Sequence, residues 1–259
     1  MDILDQYVKK TPDKQAILDV FADEWSSAMP SGSQLTTSPG SVPLFEDSRI
    51  EWARQTMGGF NDLNILELGP LEGGHSYMLE QLGSKSIVAI EANTRAFLKC
   101  LCIKQVFDLK KVEFKLGDFM SYLEDTRQQY DVVIASGVLY HMLEPMRLIE
   151  LIAKTAPRVF FWTHYYDSEI IGNNPNLAHR FNDPVDAEHA GFKYQMATLS
   201  YKDALDWAGF CGGSQPTTHW LTRESILSAL KHYGYNQIEI NFDTPDHSNG
   251  PSFAVCATR

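Results

Sequence analysis

Four stretches of this chain end in residues able to hold a charged ligand. They are Glu67 with Gly69, Gly73 and Gly74; Glu91 with Ala92 and Asn93; Gly117 with Asp118 and Phe119; and Ser136 and Gly137 with Tyr140 and His141. Glycines at 69, 73 and 74 permit a tight turn in which backbone approaches a ligand closely. A turn that seats a pyrophosphate on a helix N-terminus reads G-x-G-x-x-G. Here it reads G-x-x-x-G-G, and Glu67 ahead of it disfavours a pyrophosphate and suits a cationic amino-acid moiety. A sulfonium amino-acid cofactor is therefore expected. Glu91 lies 22 residues beyond Gly69, near the offset of a ribose-binding acid, and its carboxylate can accept from both ribose hydroxyls. Asp118 is placed to accept from an adenine amino group, with Phe119 packed on the ring.

The elements that must carry these groups follow from periodicity. Short apolar runs recur at Asn64–Leu68, Ser86–Ile90, Val112–Leu116 and Asp131–Ala135, each followed by helix-forming sequence, and a fifth run, Arg158–Thr163, follows a helical stretch from Met146 to Thr155. Continuous rather than alternating apolarity marks strands covered on both faces, so the expectation is a parallel, doubly wound sheet. Thr222 is a candidate N-cap for a helix over Arg223–Tyr233, followed by strands near Gln237–Phe242 and Ser252–Ala257 joined by a turn at 246–251. A hairpin at that point makes the last strand antiparallel. Ahead of the sheet, residues 1–28 suggest two short helices, Pro30–Pro43 a loop, and Asp47–Met57 a helix. The stretch 164–220 breaks the βα rhythm, with only Tyr201–Gly209 helical in character, and is expected to be a lid inserted over the site. The division is thus an N-terminal helical cap and loop over 1–46 and a main domain over 47–259.

With the motifs in that order, the sequence resembles the class I S-adenosylmethionine-dependent methyltransferases. ELGPLEGG matches their motif I, IEAN motif II, GDF motif III, and ASGVLYH the segment after strand four. The likeness implies a Rossmann-like seven-stranded α/β sheet with its last strand antiparallel, and S-adenosylmethionine as cofactor. It also implies that Glu67 and Gly69 contact the methionine part, Glu91 the ribose, and Asp118 with Phe119 the adenine. Leu71, Gly73, Ala92, Asn93, Gly117, Ser136, Gly137 and Tyr140 complete the expected cofactor-binding set. One position departs from the family: motif I reads E-x-G-x-G-x-G, and its middle glycine is here Leu71, followed by Glu72.

Methyl transfer is an in-line displacement, so the protein's main task is positioning, with a base only where the acceptor must lose a proton. His141, His164, Tyr165 and Tyr166 are the base candidates, and the bland alternative for each is a hydrogen-bonded structural role. His164, His179, Glu188 and His189 raise a metal site, but their spacing fits no compact ligand motif and none is expected. Trp207, Phe210 and Trp220 read as core before they read as a cage.

Composition narrows the partners. There are 22 Lys and Arg against 33 Asp and Glu, a formal charge of −11, which opposes binding to nucleic acid. The densest cationic run, Lys104–Lys115, is interrupted by Asp108 and Glu113 and reads as a solvated helix end. Cysteines at 100, 102, 211 and 256 form no CxxC pair, which fits free thiols in a reducing compartment. With no signal-like N-terminus and no apolar run long enough to cross a membrane, a cytoplasmic location and no membrane partner are expected. The leading reading is an enzyme that methylates a small molecule at O, N or C. A tRNA-modifying carboxymethyltransferase shares the GVLYH segment but is opposed by the charge. A non-catalytic cofactor-binding protein is suggested by Leu71. A homodimer is compatible with the sequence and not dictated by it.

Overall fold

A computed structural model of the chain describes residues 3–207 and 209–259. The N-terminal part holds helix α1 (Lys14–Leu18) and strands β1 (Trp25–Ser27) and β2 (Pro39–Val42). Then come α2 (Ser48–Thr56), β3 (Asn64–Leu68), α3 (Gly74–Gln81), β4 (Ser86–Glu91), α4 (Thr94–Phe107), β5 (Val112–Leu116) and α5 (Phe119–Asp125). They are followed by β6 (Val132–Ser136), α6 (Pro145–Thr155) and β7 (Arg158–His164). The insertion contains α7 (Ser168–Gly172), α8 (Pro175–Ala178), β8 (Val185–His189), β9 (Phe192–Ser200) and β10 (Thr217–Leu221). Helix α9 (Arg223–His232) and strands β11 (Gln237–Thr244) and β12 (Ser252–Thr258) close the chain.

Seven strands form the central sheet in the order β11-β12-β7-β6-β3-β4-β5, and only β12 runs against the others. The order reverses between β3 and β6, where the loops leaving the carboxyl ends diverge and open a crevice. On one face the sheet packs on α5, α6 and α9; on the other it packs on α1 to α4. Strand β7 shows why its run is unbroken: Phe160 and Phe161 are both fully buried, one in each layer. Burying each stabilises the fold by about 2–3 kcal/mol. Capping fixes the helix starts at the crevice. Asn93 caps α4 by accepting from the Arg95 and Ala96 amides at 2.9 and 3.0 Å, and Asp118 caps α5 by accepting from the Met120 amide at 2.9 Å.

Three parts of the chain differ from the sequence reading. Only α1 is a regular helix in the cap described from residue 3 onward, residues 1 and 2 lying outside the described residues; Trp25–Ser27, expected at the end of a helix, is a strand. It pairs in parallel with β2, inside the segment expected to be a loop, and Trp25 is 1% exposed. Burial of that indole outweighs the weak helical spacing around it. The insertion is an antiparallel sheet, β10-β9-β8, rather than irregular chain. Of the helix expected over Tyr201–Gly209, a 3-10 turn at Lys202–Asp206 forms, and residue 208 lies outside the described residues. No helix among the described residues is long and apolar enough to cross a membrane.

Candidate active site

The crevice at the strand-order reversal is narrow at its base. A Cβ on Gly69, whose φ is +65°, would sit 2.6 Å from Val138 Cγ1, so the loops after β3 and β6 touch there and only glycine fits. Leu71 also takes a left-handed conformation, at φ +56°. Its amide is fixed by Glu91, whose carboxylate accepts from the Leu71 N–H at 3.0 Å and the Asn93 N–H at 2.8 Å. The position where the family has glycine thus keeps a glycine-like backbone with a leucine side chain on it, at a cost of roughly 1 kcal/mol.

Two carboxylates are sealed into this crevice. Glu67 is 2% exposed and accepts from the Ser76 hydroxyl; Glu91 is 8% exposed. Burial raises both above the ordinary carboxyl range, and the neighbouring Glu91 raises Glu67 further. Neither forms an ion pair with a cationic side chain among the described residues. Such a pair favours a ligand that brings its own positive charge, as a sulfonium amino acid does. Each oxygen of Glu91 accepts one backbone amide and keeps a lone pair for a ribose hydroxyl.

Glu72, the unusual residue of motif I, does something else. It is fully buried, accepts from the Ser26 and Ser27 amides at 3.0 and 2.8 Å, and pairs with Lys99 of α4 at 2.8 Å. The turn around the crevice is thereby bolted to β1. Lys99 also donates to the Glu24 carbonyl, and Arg95 pairs with the Glu24 carboxylate.

Beyond the crevice lies an aromatic chamber. Tyr140 packs edge-on to Trp162, His164 and Trp220 with ring centroids 6.0, 4.6 and 5.8 Å away, and against His141 at 4.1 Å. His164 stacks on Trp220 at 5.1 Å and 8°. Arg49, paired with the N-cap Asp47 of α2 at 2.6 Å, lies 4.5 Å over the Trp162 ring. Burial would raise the Asp47 carboxyl, but bonds from His75 and Arg49 hold it well below its usual range. The Tyr140 hydroxyl has no protein hydrogen-bond partner among the described residues.

The two imidazoles are neutral. Burial, with His164 nearby, brings His141 down to about 3, and burial, with His247 nearby, brings His164 down to about 4. His164 Nδ1 lies 2.8 Å from the Gly250 carbonyl, which can only accept, so Nδ1 carries the proton and Nε2 the lone pair. His141 Nδ1 lies 2.7 Å from the Tyr201 hydroxyl, and Tyr201 donates to the Gly212 carbonyl.

The structure brings most of the expected residues together. Glu67, Gly69, Leu71, Gly73, Glu91, Ala92, Asn93, Gly117, Asp118, Phe119, Ser136, Gly137, Tyr140 and His141 all lie at the carboxyl ends of β3 to β6 or in the loops leaving them. Asp118 is exposed and already caps α5, with a second bond from the Ser121 hydroxyl at 3.1 Å. Tyr165 does not join the site. It is 4% exposed and packs edge-on to Phe253 in the opposite layer, under Arg223. Consecutive strand residues face opposite ways, so His164 at the chamber puts Tyr165 behind the sheet, a signal the sequence already contained. Tyr166 packs with Phe181 inside the insertion. The residues raised as metal ligands are dispersed: His189 bonds Glu150 at 2.8 Å, His179 bonds the Pro175 carbonyl, and His164 bonds Gly250. Trp220, on β10, is buried in the insertion's own core, Phe210 packs on Tyr201, and Trp207 is exposed. Arg49, Trp162, Tyr201 and His247 were missed. Trp162 shares the His164 face of β7 by alternation; the others come from distant segments and no local pattern marks them.

No protein-family model and no curated protein matches the chain in sequence. Solved structures do match in shape. The N-terminal domain of EvdMO1, in the presence of S-adenosylhomocysteine (SAH) and D-fucose, aligns with a TM-score of 0.67 at 21% identity over 95% of this chain and 94% of that one. An S-adenosylmethionine-dependent methyltransferase from Mesorhizobium loti aligns at 0.56 and 16% identity over 83% and 100%. Magnesium protoporphyrin IX methyltransferase from Synechocystis PCC 6803, with SAH bound, aligns at 0.53 and 16% identity over 82% and 80%. The sheet order, the antiparallel final strand and these alignments agree: the chain has the Rossmann-like fold of the S-adenosylmethionine-dependent methyltransferases.

Proposed function

We propose that this protein is an enzyme that transfers a methyl group from S-adenosylmethionine to a hydroxyl of a small, polyhydroxylated molecule. The observation that carries this reading is His141: a neutral imidazole beside the crevice, with Nδ1 engaged by Tyr201 and Nε2 free of protein partners among the described residues. Glu67 and Gly69 would hold the methionine part, Glu91 the ribose, and Asp118 with Phe119 the adenine. The cofactor supplies the methyl group from its sulfonium.

The acceptor oxygen forms its new bond to carbon as the carbon–sulfur bond breaks, leaving SAH, and the hydroxyl proton passes to His141 Nε2. A methylated hydroxyl is a strong acid while it still carries its proton. A weakly basic imidazole is therefore sufficient, and being neutral it is ready at every pH above about 4. Tyr140, Trp162 and Trp220 offer apolar ring faces, while the Tyr140 hydroxyl and His164 Nε2 offer polar contacts, a combination suited to a sugar-like ring. The presence of D-fucose with the EvdMO1 domain supports the same class. A net charge of −11 disfavours tRNA as the acceptor.

The test is incubation with S-adenosylmethionine and a panel of hydroxylated, amine and carbon-acid small molecules, D-fucose among them, read by mass spectrometry. The expected product is a methyl ether formed from a hydroxylated acceptor and abolished in His141→Asn. Methylation confined to amines or carbon acids, or undiminished in His141→Asn, overturns the proposal.

A further inference from the structure

The insertion reaches back to the imidazole. Between β9 and β10 the chain passes over the crevice mouth. There the Asn93 side-chain amide nitrogen donates to the Phe210 carbonyl at 3.5 Å, and the Phe210 ring packs on Tyr201 at 4.8 Å. A Cβ on Gly212 would sit 3.2 Å from His141 Cε1, and one on Gly213 would sit 3.1 Å from the His141 carbonyl oxygen. This backbone lies directly on the edge of the His141 ring.

Tyr201 is 5% exposed, and burial raises its hydroxyl, which stays protonated at neutral pH. Its neighbours constrain where that single proton goes. The Gly212 carbonyl can accept only. With that proton given to the Gly212 carbonyl, the bond between Tyr201 and His141 at 2.7 Å is donated by His141 Nδ1–H.

We infer that Tyr201 and the Gly212 carbonyl form a relay by which the insertion sets His141 in the Nδ1–H tautomer, so that Nε2 presents its lone pair to the acceptor. Tyr201 is on this view a positioning residue. A free imidazole side chain favours the opposite tautomer, with hydrogen on Nε2, which cannot take a proton there. Engagement of the insertion with His141 through Tyr201 thus determines whether the base is competent. This rests on the reading of His141 as base, but the tautomer itself is observable without turnover.

The experiment is a long-range proton–nitrogen NMR correlation of the imidazoles in the cofactor-free protein, with His141 identified by the signal lost in His141→Asn. The expected wild-type pattern is Nδ1–H. Tyr201→Phe keeps the ring and removes the oxygen; it should convert His141 to the Nε2–H or an averaged pattern. It should also lower kcat by roughly tenfold to a hundredfold, with the KM for S-adenosylmethionine little changed. Gly212→Ala, whose methyl would collide with the Phe210 ring at 2.7 Å, should shift the tautomer in the same direction by displacing the carbonyl. An Nε2–H pattern in the wild type, or an Nδ1–H pattern unchanged in Tyr201→Phe, overturns the relay. An Nδ1–H pattern lost in the variants supports it even if no hydroxyl is ever methylated, an outcome that would count against the proposed reaction alone.

Discussion

Replacing Glu72 by Gln probes how the turn after β3 is held. The carboxylate serves three donors, the Ser26 and Ser27 amides and the Lys99 ammonium, from a side chain fully shielded from water. Glutamine has one acceptor oxygen where glutamate has two, and its NH2 group must face a donor. The Ser26 or Ser27 N–H is left without a partner, at about 1–3 kcal/mol. Lys99, 8% exposed, also loses its counter-charge. Breaking a buried pair from one side costs about 3–5 kcal/mol in total, a large share of the roughly 5–15 kcal/mol that stabilises a folded domain. The assay is urea unfolding at pH 7 followed by far-UV circular dichroism, comparing midpoints at equal slope. Glu72→Gln combined with Lys99→Met removes the orphaned charge, so the double variant should be less destabilised than the sum of the two single variants, by about 1 kcal/mol or more. A loss below about 1 kcal/mol for Glu72→Gln, or strict additivity in the double variant, would refute the buried latch.

Glu91→Gln should weaken SAH binding by roughly tenfold to a hundredfold, because the amide cannot accept from the Leu71 and Asn93 N–H groups and from a ribose together; titration calorimetry reads it, and unchanged affinity removes the ribose assignment. His164 sits near 4 when folded against an ordinary 6.5, so the unfolded chain binds the extra proton between those values. Its stabilisation is therefore complete above pH 6.5 and is lost as pH falls toward 4. The stability difference between wild type and His164→Asn should shrink by about 2 kcal/mol from pH 6.5 to 5, and a pH-independent difference contradicts the buried neutral imidazole. Tyr165→Phe should leave kcat within about twofold of wild type, since the ring faces away from the chamber, whereas His141→Asn should lower it by about a hundredfold or more; a large loss in Tyr165→Phe would return that hydroxyl to the site.

The central sheet was legible because its strands are buried on both faces, and runs such as SIVAIE and RVFFWT carry that burial in their composition. The acids at their carboxyl ends were legible for the same reason: topology places strand ends at the crevice whatever their side chains are. The insertion was harder to read. Strand β9 alternates exposed Lys193 and Gln195 with more buried Tyr194 and Met196, but beside its hairpin partner β8 it pairs with β10, whose Thr217 lies 217 − 200 = 17 residues beyond its partner Ser200. Glu72 was visible only as a departure from a motif, since its partners Ser26, Ser27 and Lys99 come from segments on either side of it. Tyr201 illustrates the limit. It lies 60 residues from His141, at the start of the stretch read as helical, and only the folded chain shows that the two touch.

The central claim, that the crevice between Glu67 and Glu91 holds S-adenosylmethionine, is tested most directly by titrating SAH into the folded wild-type protein in a calorimeter. The account predicts saturable binding at one site per chain, displaced by S-adenosylmethionine. Absence of any binding in protein that still unfolds cooperatively on heating would contradict it.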